Sequence, residues 1–156
     1  MSIIFGSSAN LFNMGDNNNP RFNLDGVKDV KTVTVGDRTF VYTASPDEGG
    51  ISGFEVMADG QLLGVANVSG LDQVENVAFA MIDGSTFLYA NSGDTITVFQ
   101  IAADGDLNLV QTMTGDAAPY INQIGGRMDV VEVAGVNYLV AAGNQTDHTG
   151  SALAAG

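Results

Sequence analysis

Apolar and polar positions alternate in short runs along most of this chain, and glycine-bearing turns separate the runs. Val27, Val30, Val33 and Val35 lie in a β-branched stretch that ends at Gly36-Asp37. A strand is predicted over 39–44, then a loop, then a strand over 51–57; an Ala-Asp-Gly turn at 58–60 leads into 61–68. The same series recurs as 74–82, Asp83-Gly84, 86–91, a short loop, 96–102, Asp104-Gly105 and 107–113. A third series opens with 128–133, Ala134-Gly135 and 138–142. Alternation with period two places successive side chains on opposite faces of a strand. Asp-Gly between apolar runs is a strong hairpin signal, because both central residues tolerate positive φ. No stretch longer than two turns sustains a 3.6-residue period, so the chain is expected to be all-β.

The pattern is also self-similar. TFVYTASPDEGGISGFEVMADGQL at 39–62 returns at 86–107 as TFLYANSGDTITVFQIAADGDL, with a shorter middle loop. The offset is 47 positions from Thr39 to Thr86 and 45 from Asp59 to Asp104. NYLVAAGNQ, from Asn137, begins an incomplete third copy. Four antiparallel strands at this spacing match the period of a β-propeller blade. One four-stranded sheet cannot bury both faces alone, whereas radial stacking buries them against neighbours. A β-sandwich is the alternative fold, but it gives no reason for the repeat. The expected organisation is an irregular segment over 1–23, blade 1 over 24–70, blade 2 over 71–115, and a crossing loop with an incomplete blade 3 over 116–156. Ile3 to Phe5 would supply a ring-closing strand. About two and a half blades leave faces bare. The chain is therefore expected to be a fragment, half of a ring completed by a second chain, or a protomer that closes with copies of itself.

Three segments carry a resemblance: Phe-(Val/Leu)-Tyr-x-x-(Ser/Asn), Ile-x-x-Phe-x-(Val/Ile) and Ala-Asp-Gly-x-Leu. Over Val27 to Gly143 they resemble the lactonase-type, YVTN-like propellers. The resemblance implies a ring of about seven blades. It also implies a ligand- or partner-binding scaffold in an acidic, secreted or periplasmic bacterial protein. The alternative is a lactonase-like hydrolase or cycloisomerase completed by other blades. The Pro-x-His signature of many such enzymes is replaced here by Val74-Glu75-Asn76.

In such propellers the site lies at one end of the central channel, on the loops between second and third strands and on those entering the innermost strands. Carried onto this chain, that selects Asp47, Glu48, Asp94, Asn144, His148 and Glu75. Aligning the innermost strands on their closing hairpins puts Asp29, Asn76 and Arg127 at one equivalent position. Three different polar residues at one place in an apolar repeat suggest a channel mouth, or else solvent-facing strand entries.

Charge narrows the partners. There are 18 acidic and 5 basic residues, for a net charge of −13. The cations Arg21, Lys28, Lys31, Arg38 and Arg127 are too dispersed to displace counterions from nucleic acid, and anionic membranes are disfavoured for the same reason. No run approaches the ~20 apolar residues of a membrane helix. The first basic residue is Arg21, so no signal peptide is visible. Zero cysteines remove a thiol nucleophile and thiolate metal ligands. No cofactor is predicted; Ca²⁺ is the ion the acidity would suit, with Asp16 to Asn19 offering oxygen ligands at unsuitable spacing. Asp104-Gly105-Asp106 starts like a calcium loop, but Leu109 stands where that loop needs glycine.

Overall fold

The computed structural model describes residues 22–114 and 127–142, and these residues are all-β. Sheet 1 is antiparallel, in the order β1 (Asp29–Val35), β2 (Arg38–Ser45), β3 (Gly50–Val56) and β4 (Leu62–Ser69). Sheet 2 repeats that order with β5 (Val74–Ile82), β6 (Ser85–Ser92), β7 (Thr95–Ile101) and β8 (Leu107–Thr114). Sheet 3 pairs β9 (Met128–Val133) with β10 (Val136–Ala141). The first strand starts at Asp29 rather than Val27, because the chain is still leaving the turn at Asp25-Gly26.

The turns are the ones the sequence specifies. Asp83-Gly84 and Ala134-Gly135 have positive φ at both central residues, which suits the right-handed twist of the strands they join. The β3–β4 and β7–β8 turns are the same structure twice. Met57 N donates to Gln61 O at 2.8 Å, and Ala102 N donates to Asp106 O at 2.9 Å. Asp59 and Asp104 each accept a backbone N–H two residues on, at 3.0 and 3.2 Å.

Register confirms that the sheets are equivalent. Val33 faces Phe40, Ala80 faces Phe87 and Val131 faces Tyr138 across the first hairpin of each sheet. The two long copies thus place their Phe-x-Tyr strands in like positions, second in their own sheets.

Period-two alternation assigns each face of sheet 2 to a different neighbour. Val77, Leu88, Ala90, Phe99 and Ile101 join Phe40, Tyr42, Ala44 and Ile51 in one core between sheets 1 and 2. Ala78, Ile96 and Val98, with Phe87 and Tyr89, pack with Met128, Val130 and Leu139 in a second core between sheets 2 and 3. The sheets therefore stack in chain order, and sheet 2 is covered on both sides. Each large apolar side chain buried this way contributes roughly 1.5–3 kcal/mol.

Sheets 1 and 2 also interlock through polar groups. Tyr42, buried, donates its hydroxyl to Gly105 O at 2.6 Å, which ties one sheet to the turn of the next. Arg38 grips Glu55 through two bonds of 2.7 and 2.5 Å and donates a third, of 2.8 Å, to Ala103 O. On the other side of sheet 1, Asn23 is anchored by donating Nδ2 to Asn67, Val68 O and Ser69, while its carbonyl accepts Ser45 and Ser52. Phe22 stacks near Phe54, with ring centroids 5.0 Å apart. Asn23, placed by sequence in an irregular segment, is irregular in backbone and is fastened to the outer face of sheet 1 by these bonds.

Candidate functional site

Asp29 opens β1 on the face that meets sheet 2, and Asn76 lies on the sheet 3 side of β5. A bulge sets the second position. Register shifts between Val74 and Asn76, so Glu75 has no cross-strand partner and the strand changes face. Val74 can then point into the core with sheet 1 while Asn76 points toward sheet 3. Asn76 Nδ2 donates back to Asp29 Oδ2 at 2.6 Å, and the same oxygen accepts Val77 N at 3.0 Å. Asn76 Oδ1 in turn accepts Met128 N at 2.7 Å.

This is a ladder in which one position repeats a role. The side chain at the equivalent place in one sheet accepts the backbone N–H one residue past the equivalent place in the next. Asp29 and Asn76 are both buried. Buried acceptors that satisfy a neighbour's backbone donor lock strand against strand, since leaving either group unpaired costs about 1–3 kcal/mol. Arg127, third in the alignment, is exposed, and its carbonyl accepts Ala142 N at 3.0 Å.

The row beside the ladder repeats the offset. Lys28 and Glu75, equivalent positions in sheets 1 and 2, form an ion pair of 2.8 Å at the surface. The Glu75 carboxylate raises the Lys28 pKa, first by its hydrogen bond and then by its charge, with Asp47 adding a smaller push in the same direction. Glu48 accepts Asp25 N at 2.8 Å, and Asp47 sits over Gly26, so closely that a Cβ there would overlap its carboxylate. Asp94 lies exposed in the β6–β7 turn and accepts Thr95 Oγ1 at 3.2 Å. The structure therefore gathers Asp29, Asn76, Glu75, Asp47 and Glu48 at one end of the sheets, with Arg127 one residue from the ladder's last bond. Asn144 and His148 lie outside the described residues.

No family model matches the sequence, and no curated protein is significantly similar to it.

A second concavity runs between the outer strands of sheets 1 and 2. It holds about 510 Å³, with Phe99 and Leu71 as apolar surface and Ser69, Ser92, Thr97 and Asp72 as polar surface. Ser92 donates its hydroxyl to Asp72 O, which fixes the segment entering β5 at the groove's end. The sequence gives no sign of this groove, because its lining is drawn from β4, β7, β8 and the segment entering β5, which meet only in the folded chain. The Tyr42–Gly105 and Arg38–Glu55 contacts were missed as well. The second had a signal: Phe40 pairs with Glu55, which puts Arg38 on the diagonal within reach of a long side chain. Among the described residues, no three or more His, Cys, Asp or Glu side chains converge as a metal site. No helix among them is long and apolar enough to cross a bilayer.

Proposed function

We propose that the chain is part of a β-propeller of the lactonase-type architecture and acts as a ligand- or partner-binding scaffold in an exported, acidic bacterial protein. The observation that carries this reading is the ladder: two successive sheets use the residue at one repeat position, Asp29 then Asn76, for the same bond to the following sheet. A repeat that links each unit to the next in one direction, with sheet 2 covered on both faces, is how radially stacked sheets are built. A two-layer sandwich has no place for the third layer.

With Asp29 and Asn76 spent on holding sheets together, binding at this end falls to the accessible carboxylates of Asp47, Glu48, Glu75 and Asp94. They suit a cationic ligand or a basic partner surface, at short range and low ionic strength. Calorimetric titration with Ca²⁺ and with spermine, beside pH-stat assays of γ-butyrolactone and an N-acyl homoserine lactone, tests the reading. Heat of binding to a cation without lactone turnover is expected. Turnover above the buffer rate would replace the scaffold with the hydrolase reading, and neither heat nor turnover would remove the acidic end as the place of binding.

A further inference from the structure

The groove between sheets 1 and 2 has a counterpart on the outer face of sheet 1, and there the chain itself supplies the occupant. Strand pairing fixes the equivalence. Ser52 faces Asn67 and Phe54 faces Gly64 across β3 and β4, as Thr97 faces Thr112 and Phe99 faces Leu109 across β7 and β8. On sheet 1 these positions hold Phe22 and Asn23. Ser52 Oγ accepts Asn23 N at 2.8 Å, Asn67 Oδ1 accepts its Nδ2 at 2.6 Å, and the Phe22 ring lies against Phe54. On sheet 2 the corresponding segment is Leu71-Asp72, since Ser92 donates to Asp72 O as Ser45 donates to Asn23 O.

Aspartate in the place of asparagine changes what the site needs. The Asn23 carboxamide donates N–H, whereas a carboxylate donates nothing. Thr97 and Thr112 nevertheless keep an oxygen at each accepting position, and both line the groove. Thr97 is only 4% exposed, yet its hydroxyl bonds to no other described residue. A hydroxyl so far out of bulk water is costly to leave unmet. Asp72 is the one charged residue of the lining, and it is exposed.

The room is also narrower than on sheet 1. A Cβ on Gly50 would overlap the Asn23 carboxamide, and one on Gly64 would overlap the Phe22 ring. Sheet 2 carries Thr95 and Leu109 at those two positions. A Phe-Asn pair is thereby shut out, and a single slim apolar chain ending in N–H donors is what remains compatible.

We infer that the groove binds a primary organic ammonium. Its N–H groups go to the oxygens of Thr97 and Thr112, its charge is met by the Asp72 carboxylate, and its unbranched apolar body lies along Phe99 and Leu71. One group thus brings the donors that Asp72 lacks together with the countercharge that Asp72 calls for. The inference is independent of cation binding at the acidic end, because none of Asp47, Glu48, Glu75 and Asp94 lines the groove.

Amide NMR spectra of the full chain titrated with n-hexylammonium test this. Hexyltrimethylammonium, which keeps the charge without N–H, and n-hexanol, which keeps the body without charge, are titrated beside it. Saturable shifts centred on Thr97, Thr112 and Phe99 are expected, with both control compounds weaker by about tenfold or more. D72N and T97V should each weaken hexylammonium by about tenfold. T97V should melt no lower than the wild type, since the hydroxyl it removes holds nothing within the chain. E48Q/E75Q should leave hexylammonium binding unchanged, so that failure at the acidic end and failure in the groove are seen apart. The proposal is overturned if hexyltrimethylammonium binds as well as hexylammonium, or if D72N and T97V bind like the wild type. It is equally overturned if E48Q/E75Q abolishes the binding, or if no saturable shift appears in the groove while the protein stays folded.

Discussion

Replacing Asn76 with Asp tests the ladder with a change of one atom. In the native chain Asn76 donates to Asp29 Oδ2 at 2.6 Å and accepts Met128 N at 2.7 Å, with both side chains buried. N76D keeps the acceptor for Met128 and exchanges the donor for a second carboxylate facing the first. Two unit charges about 3 Å apart at an effective dielectric near 20 repel by roughly 5 kcal/mol. Uptake of a shared proton limits that penalty, and the pair then titrates as a unit. We expect N76D to lose about 3–4 kcal/mol at pH 7 and to regain much of it toward pH 5, as the pair takes up its proton. For a chain of this size that is a fall of roughly 10 °C in Tm. D29N/N76D moves the charge across the same bond and should recover most of the loss. The amide then stands on β1, where its nitrogen can donate to the carboxylate now on β5 and its oxygen can still accept Val77 N. Urea unfolding of the wild type, D29N, N76D and the double variant closes the cycle. A coupling energy below about 1 kcal/mol, or N76D as stable as the wild type at pH 7, would show that the two side chains do not act as one link.

Other changes read the remaining contacts between sheets 1 and 2. Y42F removes the hydroxyl that bonds Gly105 O and leaves a buried carbonyl short of a donor, for a loss of about 1–2 kcal/mol in urea unfolding. Burial, then the charges of Asp106 and Asp104, hold the Tyr42 phenol above its ordinary value of 10.0. The stability tied to it is therefore complete below that value and declines as pH rises through the raised one, a slope that Y42F should reduce. Glu55 behaves oppositely: its hydrogen bonds to Arg38 pull its pKa below 4.5, so its contribution is present above that value and lost as pH falls through the lowered one. E55Q should lower stability at neutral pH, where that contribution is present, and flatten the acid limb, so that the two proteins converge as pH falls. Gly105 and Gly60 have nearly the same backbone, φ +88° and +82°, but a methyl at 105 would sit 2.4 Å from the Phe40 ring and one at 60 would meet nothing. G60A should then lose only the backbone strain, on the order of 1–2 kcal/mol. G105A should lose a further amount of about 1–3 kcal/mol from overpacking. Equal losses would mean that the turn does not pack against sheet 1.

Much of this architecture was legible because hairpins fix register. Once Gly36-Asp37, Asp83-Gly84 and Ala134-Gly135 close the first hairpins, each residue upstream has a determined face and partner. That is why counting back from the turns brings Asp29 and Asn76 to like positions, and why they meet across two sheets. The count could not show which atoms they would bond. The bond runs to the N–H of the residue after the equivalent one, and it depends on a bulge at Glu75 that no spacing announces. Asn23 was illegible for a related reason: its partners Ser52, Asn67 and Ser69 come from β3 and β4, so only the folded sheet assembles the site that holds it.

The chemistry of the repeat position is where sequence and geometry part company. A polar residue at one place in an apolar repeat invites a ligand-binding reading, and Asp29, Asn76 and Arg127 together look like a mouth lined with different functions. Geometry separates them by what each side chain can accept. Asp29 and Asn76 have an oxygen to offer a neighbour's backbone, and both are buried doing so. Arg127 has none, and it stands in solvent. At the first two positions the side chain is an acceptor that serves the next sheet's backbone, and at the third it is a donor.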